Sequence, residues 1–525
     1  MSTSPPLAVA LLLRLGLPVF TLLASALLAP TLLAFVPAAS ADSLSGLRRL
    51  LDDPDPSARA AAVRRLAGND EPVAHRLVLD VLADDHPYVR RAAAGVLAGV
   101  LERRELLARS LTKLGEPRAR AAAAEGVGLW LDATAGGVLV RLLADKSPEV
   151  RVAALEAFVR PLLDGAAPQA LPTAWEEASV LDHLDRALAD RDGLVRATAL
   201  DLLLGWRPGH LTEARLADLL GDPDARVRLR ALEGSAAMST EAATVAVLRG
   251  SDDAVWSVRL VAAELSGAVR SARVLDRLIQ QLDTEPRERV VAAVQSSLVQ
   301  LVGIPFEGDQ WRAWRKGDGA AFDPALREGE APPDVPRGTH TVETGRFLGL
   351  PLVSTHVAFV VDASGSMREV GRDGRRRDVR AREALDAALA SLQAAPKPAA
   401  VNIHRFHDGV ESFEAKAVPV TESMRRRVTT WLASREPAGR TALFDGIAAA
   451  LADPDVDQVV VLSDGAPSAG SWFTKTDLLR EVGRLQRWTR ARIDVVRIGQ
   501  DGVAARWRRL LEQLADVTGG VALSR

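Results

Sequence analysis

The stretch HVAFVVDASGSMRE, residues 356–369, decides how the second half of this chain is read. From His356 to Val361 it is nearly continuous apolar sequence with three valines, which suits a short strand buried on both faces. The run ends in Asp362, Ser364 and Ser366, at alternate positions. Ser, Asp and Gly are common turn residues, so this segment alone is satisfied by a strand that simply stops.

Three similar runs follow: AVNIHRF at 400–406, DQVVVLS at 457–463 and RIDVVRI at 492–498. Between them DVRAREALDAALASLQAA, TALFDGIAAALAD and TKTDLLREVGRLQRWTR have helical character. Such alternation implies a doubly wound α/β domain with a mainly parallel sheet and helices on both faces. Ligands of these sheets bind at the carboxyl ends of the strands. VVVLSDGAPS ends a second buried strand in Asp464, and AGRTALFDG presents Thr441 at the start of a helix, where its hydroxyl is also a natural cap. Two carboxylates and three hydroxyls are therefore expected at one edge, from three loops. In an extended loop, residues two apart point the same way, which gives the D-x-S-x-S spacing a purpose. All these donors are hard oxygens, and the chain has no cysteine. Mg²⁺ is the natural occupant, with Mn²⁺ and Ca²⁺ as alternatives.

Residues 350–525 resemble a von Willebrand factor type A (VWA) domain, a Rossmann-like fold. Asp362, Ser364, Ser366, Thr441 and Asp464 match, one by one, that family's metal-ion-dependent adhesion site. The resemblance implies that the two serine hydroxyls, and often the threonine, touch the metal, while the aspartates act directly or through water. It also implies an open coordination position filled by a carboxylate, so the expected partner is a protein presenting Asp or Glu. LLEQLADVTGGVALSR, residues 510–525, resembles the family's last helix, glycine turn and final strand.

Weaker signals surround this edge. The basic stretch RDGRRRDVRAR spans 372–382, and partner contacts are expected at positions 374–376, which are Gly374, Arg375 and Arg376, and at Arg440. Runs of this kind are more often solvated helix ends; around a metal they would attract an acidic partner. His404 and His407 straddle the end of a strand, three apart, where side chains take opposite faces, so one packed and one surface histidine are expected rather than a metal pair.

The first half follows a different pattern. DDPDPSARAAAVRRLAG, ADDHPYVRRAAAGVLAG, ADKSPEVRVAALEAFVR, ADRDGLVRATALDLLLG, GDPDARVRLRALEGSAA and SDDAVWSVRLVAAELSG each join an acidic turn to an arginine and an Ala/Leu-rich run. The shared arginines, Arg59, Arg90, Arg120, Arg151, Arg196, Arg228 and Arg259, recur about every 31 residues, with one longer interval of 45 across RPLLDGAAPQALPTAWEE. A period near thirty residues marks stacked helical hairpins, because one hairpin cannot bury its apolar stripe alone. The pattern resembles short HEAT repeats, which are interaction scaffolds in most families. The arginines are expected to pair with acidic turn residues of the neighbouring unit, and Trp130, Trp175, Trp206 and Trp256 to lie in the core.

Four segments result: 1–41, a signal peptide or N-terminal anchor; 42–304, an all-α HEAT-like solenoid of about eight repeats; 305–349, a Trp-containing helix and Pro/Gly linker; and 350–525, the VWA-like domain. The first is uncharged from Leu15 to Val36 and ends in PAASA, the arrangement of a cleavable secretory signal, and it is also long enough for an uncleaved anchor. Either places the folded part in the periplasm, the cell envelope or the medium, with membrane association only through that segment. The net charge of −2 gives no footprint for nucleic acid. No nucleophile, base and orienter set, phosphate loop or zinc motif is present, so an enzyme is not expected. The expected function is an extracytoplasmic interaction scaffold, with a second partner on the solenoid. The alternative is an assembly or chaperone cofactor of an ATPase-linked complex, which an export signal disfavours because ATP is cytoplasmic.

Overall fold

The computed structural model describes residues 43–525 apart from 100, 131, 166–172, 328–342, 372 and 500–504. The expected signal or anchor at 1–41 lies outside the described residues. Among the described residues no helix is long and apolar enough to cross a membrane. Packing divides the chain into two units, one ending at Gly234 and one running from Ser235 to Arg525.

Among the described residues the first unit is built of helices and the turns between them. Helices Pro56–Leu66, Pro87–Ala98, Pro117–Val127 and Pro148–Leu163 all begin on proline, whose missing N–H costs nothing in a first turn. Asp55 and Asp192 cap their helices by accepting from Ser57 N and from Leu194 N and Val195 N. Apolar residues from successive helices, among them Val63, Leu97, Val127, Phe158 and Leu200, are fully buried and form the core that no single pair closes. Trp175 stacks on Phe158 with ring centroids 5.4 Å apart and donates Nε1–H to the Phe158 carbonyl at 2.8 Å. Trp130 and Trp206 are buried as well, as the sequence leads one to expect.

The repeated arginines form a ladder. In four of its rungs Nη1 donates to the carbonyls of its own turn, while Nε and Nη2 grip both oxygens of an acidic side chain in the next turn. Arg59 takes Asp84, Arg120 takes Asp145, Arg151 takes Asp190 and Arg196 takes Asp222, at 2.6–3.0 Å. These bidentate pairs are the strong form of the charged hydrogen bond. For these four the expected pairing with an acidic turn residue of the neighbouring unit is met, even across the insertion between Arg151 and Asp190; Arg90 has no such partner among the described residues.

The second unit continues the ladder with Arg259 on Glu285 and then α1 (Glu288–Val302), which ends on Gly303 in the left-handed region at φ 84°. Helix α2 (Asp309–Lys316) packs back on it: Trp311 is fully buried and donates to Gln295 Oε1 at 2.6 Å. A hairpin of β1 (Gly345–Phe347) and β2 (Leu350–Leu352) turns through Leu348 and Gly349, both at positive φ. Phe347 and Leu350 are fully buried in the core of the sheet domain, so packing there begins with the hairpin.

The sheet comprises β3 (His356–Asp362), β4 (Ala400–Phe406), β5 (Val410–Ser412), β6 (Val418–Pro419), β7 (Gln458–Ser463), β8 (Arg492–Arg497) and β9 (Ala522–Ser524). Its order is β5-β4-β3-β7-β8-β9, with β6 also paired to β4. All pairings from β4 to β9 are parallel, and only the short β5 and β6 run antiparallel. Helices α3 (Arg377–Gln393) and α4 (Glu422–Ala433) bury Leu385, Leu389 and Val428 against one face with Phe359 and Ile403. Helices α5 (Leu443–Leu451), α6 (Lys475–Thr489) and α7 (Ala505–Asp516) cover the other.

The last repeats dock on the amino edge of this sheet. Arg289 on α1 donates Nη1 to the carbonyls of Asp457 and Arg490 at 2.7 and 2.9 Å, ahead of β7 and β8. Arg287 reaches the Asp455 carbonyl at 2.8 Å, Trp256 Nε1–H the Pro454 carbonyl at 2.8 Å, and Thr355 donates its hydroxyl to Glu288 at 3.0 Å. The Arg289 guanidinium also lies over the Trp256 ring.

Candidate metal centre

Strand order fixes where a site forms. β3 lies between β4 and β7, so the chain leaves β3 through α3 to one side and later returns to the other side as β7. The crossovers diverge at the carboxyl end of β3, which opens a crevice there. Asp362 is the last residue of β3 and Ser463 the last of β7, each following the paired residues Val361 and Leu462.

Asp362 is 2% exposed. One carboxylate oxygen accepts from Ser364 N at 2.8 Å and the other from the Ser463 hydroxyl at 2.6 Å. Both donors are neutral. Burial, and then the charge of Asp464, push the Asp362 carboxyl up to about 6 against those hydrogen bonds. The hydroxyls of Ser364 and Ser366 are 3.1 Å apart, and Ser366 donates to Asp464 Oδ1 at 2.8 Å. Four of the five expected residues therefore form one connected cluster.

Thr441 reaches the same place through its backbone. Gly365 N donates to the Gly439 carbonyl at 3.0 Å and Ala438 N to the Ala363 carbonyl at 2.8 Å, which ties the loop ahead of α5 to the loop after β3. Thr441 N takes the Ser468 hydroxyl at 3.1 Å and its carbonyl accepts from Ser468 N at 3.0 Å, which ties it to the loop after β7. Gly439 stands at φ 76°, and a Cβ there would strike the Asp408 carboxylate, so glycine is required for this approach.

The positive charge at the cluster comes from a residue the sequence does not single out. Arg377, first in α3, donates Nη1 to Asp464 Oδ2 at 2.7 Å and holds Glu369 at 2.9 Å. Asp464 thus shares its two oxygens between Ser366 and Arg377, while Asp362 has no cation on it. The arginines expected to face a partner sit differently. Position 374 is a glycine at φ 75° and carries no charge. Arg375 pairs with Glu383, Arg376 with Asp378 and Glu436, and Arg440 with Asp408. His404 is buried on Ser412, its pKa pushed down to about 4 by burial, and His407 meets Glu411 at the surface. That is the packed and surface division expected of them.

The donor set fits a hard divalent cation. Two buried carboxylates face one guanidinium, leaving net negative charge, and three hydroxyls stand on the same loops. Among the described residues no three His, Asp or Glu side chains gather to hold a metal, so a cation here would rest on two carboxylates and hydroxyls. Asp362, Ser364, Ser366, Thr441 and Asp464 are the residues that would hold it, with Ser463 fixing the orientation of Asp362.

The match of residues 355–523 to the family model of the von Willebrand factor type A domain agrees with this topology. That part of the chain is a VWA domain. Residues 31–100 match HEAT repeats, ahead of and through the first described helical pairs. No curated protein matches the chain. A solved von Willebrand factor type A protein from Catenulispora acidiphila is 21% identical over 34% of this chain and 40% of its own, with a TM-score of 0.28. The conserved hypothetical protein BatB from Bacteroides thetaiotaomicron is 14% identical over 32% of this chain and 89% of its own, with a TM-score of 0.24. Yeast importin-β is 13% identical over 52% of this chain and 40% of its own, with a TM-score of 0.35. This chain therefore spans less than half the length of the first and the third. A VWA domain is of the protein-interaction and adhesion type.

Proposed function

We propose that this protein is an extracytoplasmic interaction scaffold whose VWA domain holds a divalent cation, Mg²⁺ before Mn²⁺ or Ca²⁺, and binds through it an Asp or Glu side chain of a partner protein. The observation that carries this reading is the convergence of Asp362, Ser364, Ser366 and Asp464 from the ends of adjacent parallel strands into one buried, net negative cluster. The cation would supply Lewis acidity toward a carboxylate oxygen. The chain's residues orient that interaction: Ser463 and Ser364 N fix Asp362, Ser366 fixes Asp464, and the strapped loop fixes Thr441. The role is one of binding rather than catalysis. The uncharged N-terminal segment ending in PAASA supports export, and the stacked repeats offer a surface to a second protein.

Affinity capture from an envelope fraction tests this reading. The full chain should retain a partner in Mg²⁺, release it in EDTA, and fail to retain it as Ser364→Ala. Equal recovery in EDTA would sink the proposal. A further outcome concerns Arg377, whose charge opposes a cation beside Asp464. Arg377→Gln should tighten Mg²⁺ binding by at least about threefold, since like charges a few ångströms apart repel by about 1 kcal/mol or more even when well screened. Calorimetric titration reads this directly, and weaker binding would show that Arg377 instead holds Asp464 in its productive position.

A further inference from the structure

The arginine ladder of the first unit has one open rung. Arg90 stands in helix Pro87–Ala98 where Arg59 and Arg120 stand in theirs, three residues after the proline that begins the helix. Its Nη1 donates to the carbonyls of Asp84 and Asp85 at 2.8 and 2.9 Å. Arg120 does the same to Leu114 and Gly115, and Arg151 to Asp145 and Lys146. Those paired carbonyls set the plane and direction of each guanidinium, so that Nε and Nη2 face the next turn.

What that turn offers differs at this one place. The acidic position lies three residues before the first residue of the following helix. It is Asp84 before Pro87, Asp145 before Pro148, Asp190 before Gly193 and Asp222 before Ala225. Before Pro117 it is Leu114. A leucine side chain accepts no hydrogen bond, and among the described residues Arg90 Nε and Nη2 have no carboxylate partner. The contrast is visible in the charges: carboxylate bonds raise the pKa of Arg59, Arg120 and Arg196, whereas that of Arg90 is lowered, first by burial and then by nearby Arg118. An oriented guanidinium fork without its acceptor is a binding element, because the ordering that a bidentate contact needs is already in place.

We infer that the Arg90 fork receives one carboxylate from a partner protein, an Asp or Glu side chain that supplies the missing rung. The class of ligand follows from the chain's own precedents, since every filled rung described holds a carboxylate in this bidentate arrangement. Glu125 and Glu149 lie near enough to act on Arg90, and their negative charge favours a singly charged carboxylate over a phosphate dianion. This inference rests on the reading of the repeats as a surface for a second protein and is independent of the metal reading, because its test contains no divalent cation.

The probe is the peptide acetyl-Asp-Lys-Ser-Pro-amide, whose sequence is that of residues 145–148, the segment that closes the rung of Arg120. It is titrated into the full chain labelled with ¹⁵N-arginine, with the Arg90 Nε–H signal identified by its loss in Arg90→Leu. The expected result is a saturable shift of that signal in the wild type and no shift in Leu114→Asp, where an internal carboxylate closes the rung. Leu114→Asp should also raise the melting temperature of the wild type, yet lower it in the Arg90→Leu background. Equal peptide response in the wild type and Leu114→Asp, or a lowered melting temperature in both backgrounds, overturns the inference. So does inorganic phosphate bound in preference to the peptide.

Discussion

Asp464→Ala should abolish Mg²⁺ binding to the full chain, measured by calorimetric titration, and with it the rise in melting temperature that Mg²⁺ confers on the wild type. The carboxylate it removes accepts from Ser366 and Arg377, so the variant loses a ligand and leaves the Arg377 guanidinium with Glu369 alone beside the place where a cation has to sit. Ser463→Ala is the more discriminating change. Its hydroxyl would not touch the metal; it holds Asp362 Oδ2 at 2.6 Å, and loss of an orienting partner of this kind lowers metal affinity by about 10–100-fold. A chain that still binds Mg²⁺ normally after Asp464→Ala would place the cation elsewhere.

The second large effect is expected at the opposite edge of the sheet. Arg289→Met should destabilise the second unit by about 3–5 kcal/mol, the usual consequence of deleting one partner from a buried charged cluster. Burial lowers the pKa of Arg289, which donates to two carbonyls of the sheet domain, and its charge is the main one opposing the buried Asp457 carboxylate. Urea unfolding followed by tryptophan fluorescence reads the loss, with Trp256 lying against the guanidinium. A loss below about 1 kcal/mol would mean that the repeats and the sheet touch without stabilising each other.

Asp457 adds a pH signature to this junction. Burial pushes its carboxyl up to about 6 against the pull of Arg289 and Ser354. A carboxyl whose folded pKa lies above its unfolded value binds a proton more tightly when folded. Its stabilising contribution is present in full below about pH 4 and is lost as pH rises through about 6. Asp457→Asn should therefore flatten the stability profile between those values relative to the wild type. Asp362 titrates in the same window, but it is common to both chains and cancels in the difference.

Much of this was legible because the physics involved is local. AVNIHRF coincides with β4, and the other three apolar runs match β3, β7 and β8 to within a residue at either end. A strand buried on both faces needs continuous apolar sequence, and these four runs supply it with β-branched residues. β5 and β6 are only three and two residues long and carry no such signal. Asp362, Ser364 and Ser366 share one loop, so their spacing announces them. Ser463 sits directly before Asp464, but its role depends on β7 lying beside β3, a pairing across about a hundred residues. Arg377 is buried in a run of charge, and only the start of α3 beneath the crevice picks it out from Arg375 and Arg376.

Two architectures, the period of the ladder and the cluster of oxygen donors are written in residue type and spacing along short stretches of chain. Two further features appear only in the fold: that Arg377 faces Asp464, and that the last repeats rest on the amino edge of the sheet. Each depends on contacts between segments distant in the chain, whose geometry is fixed by burial and by pairing of charges rather than by any local pattern.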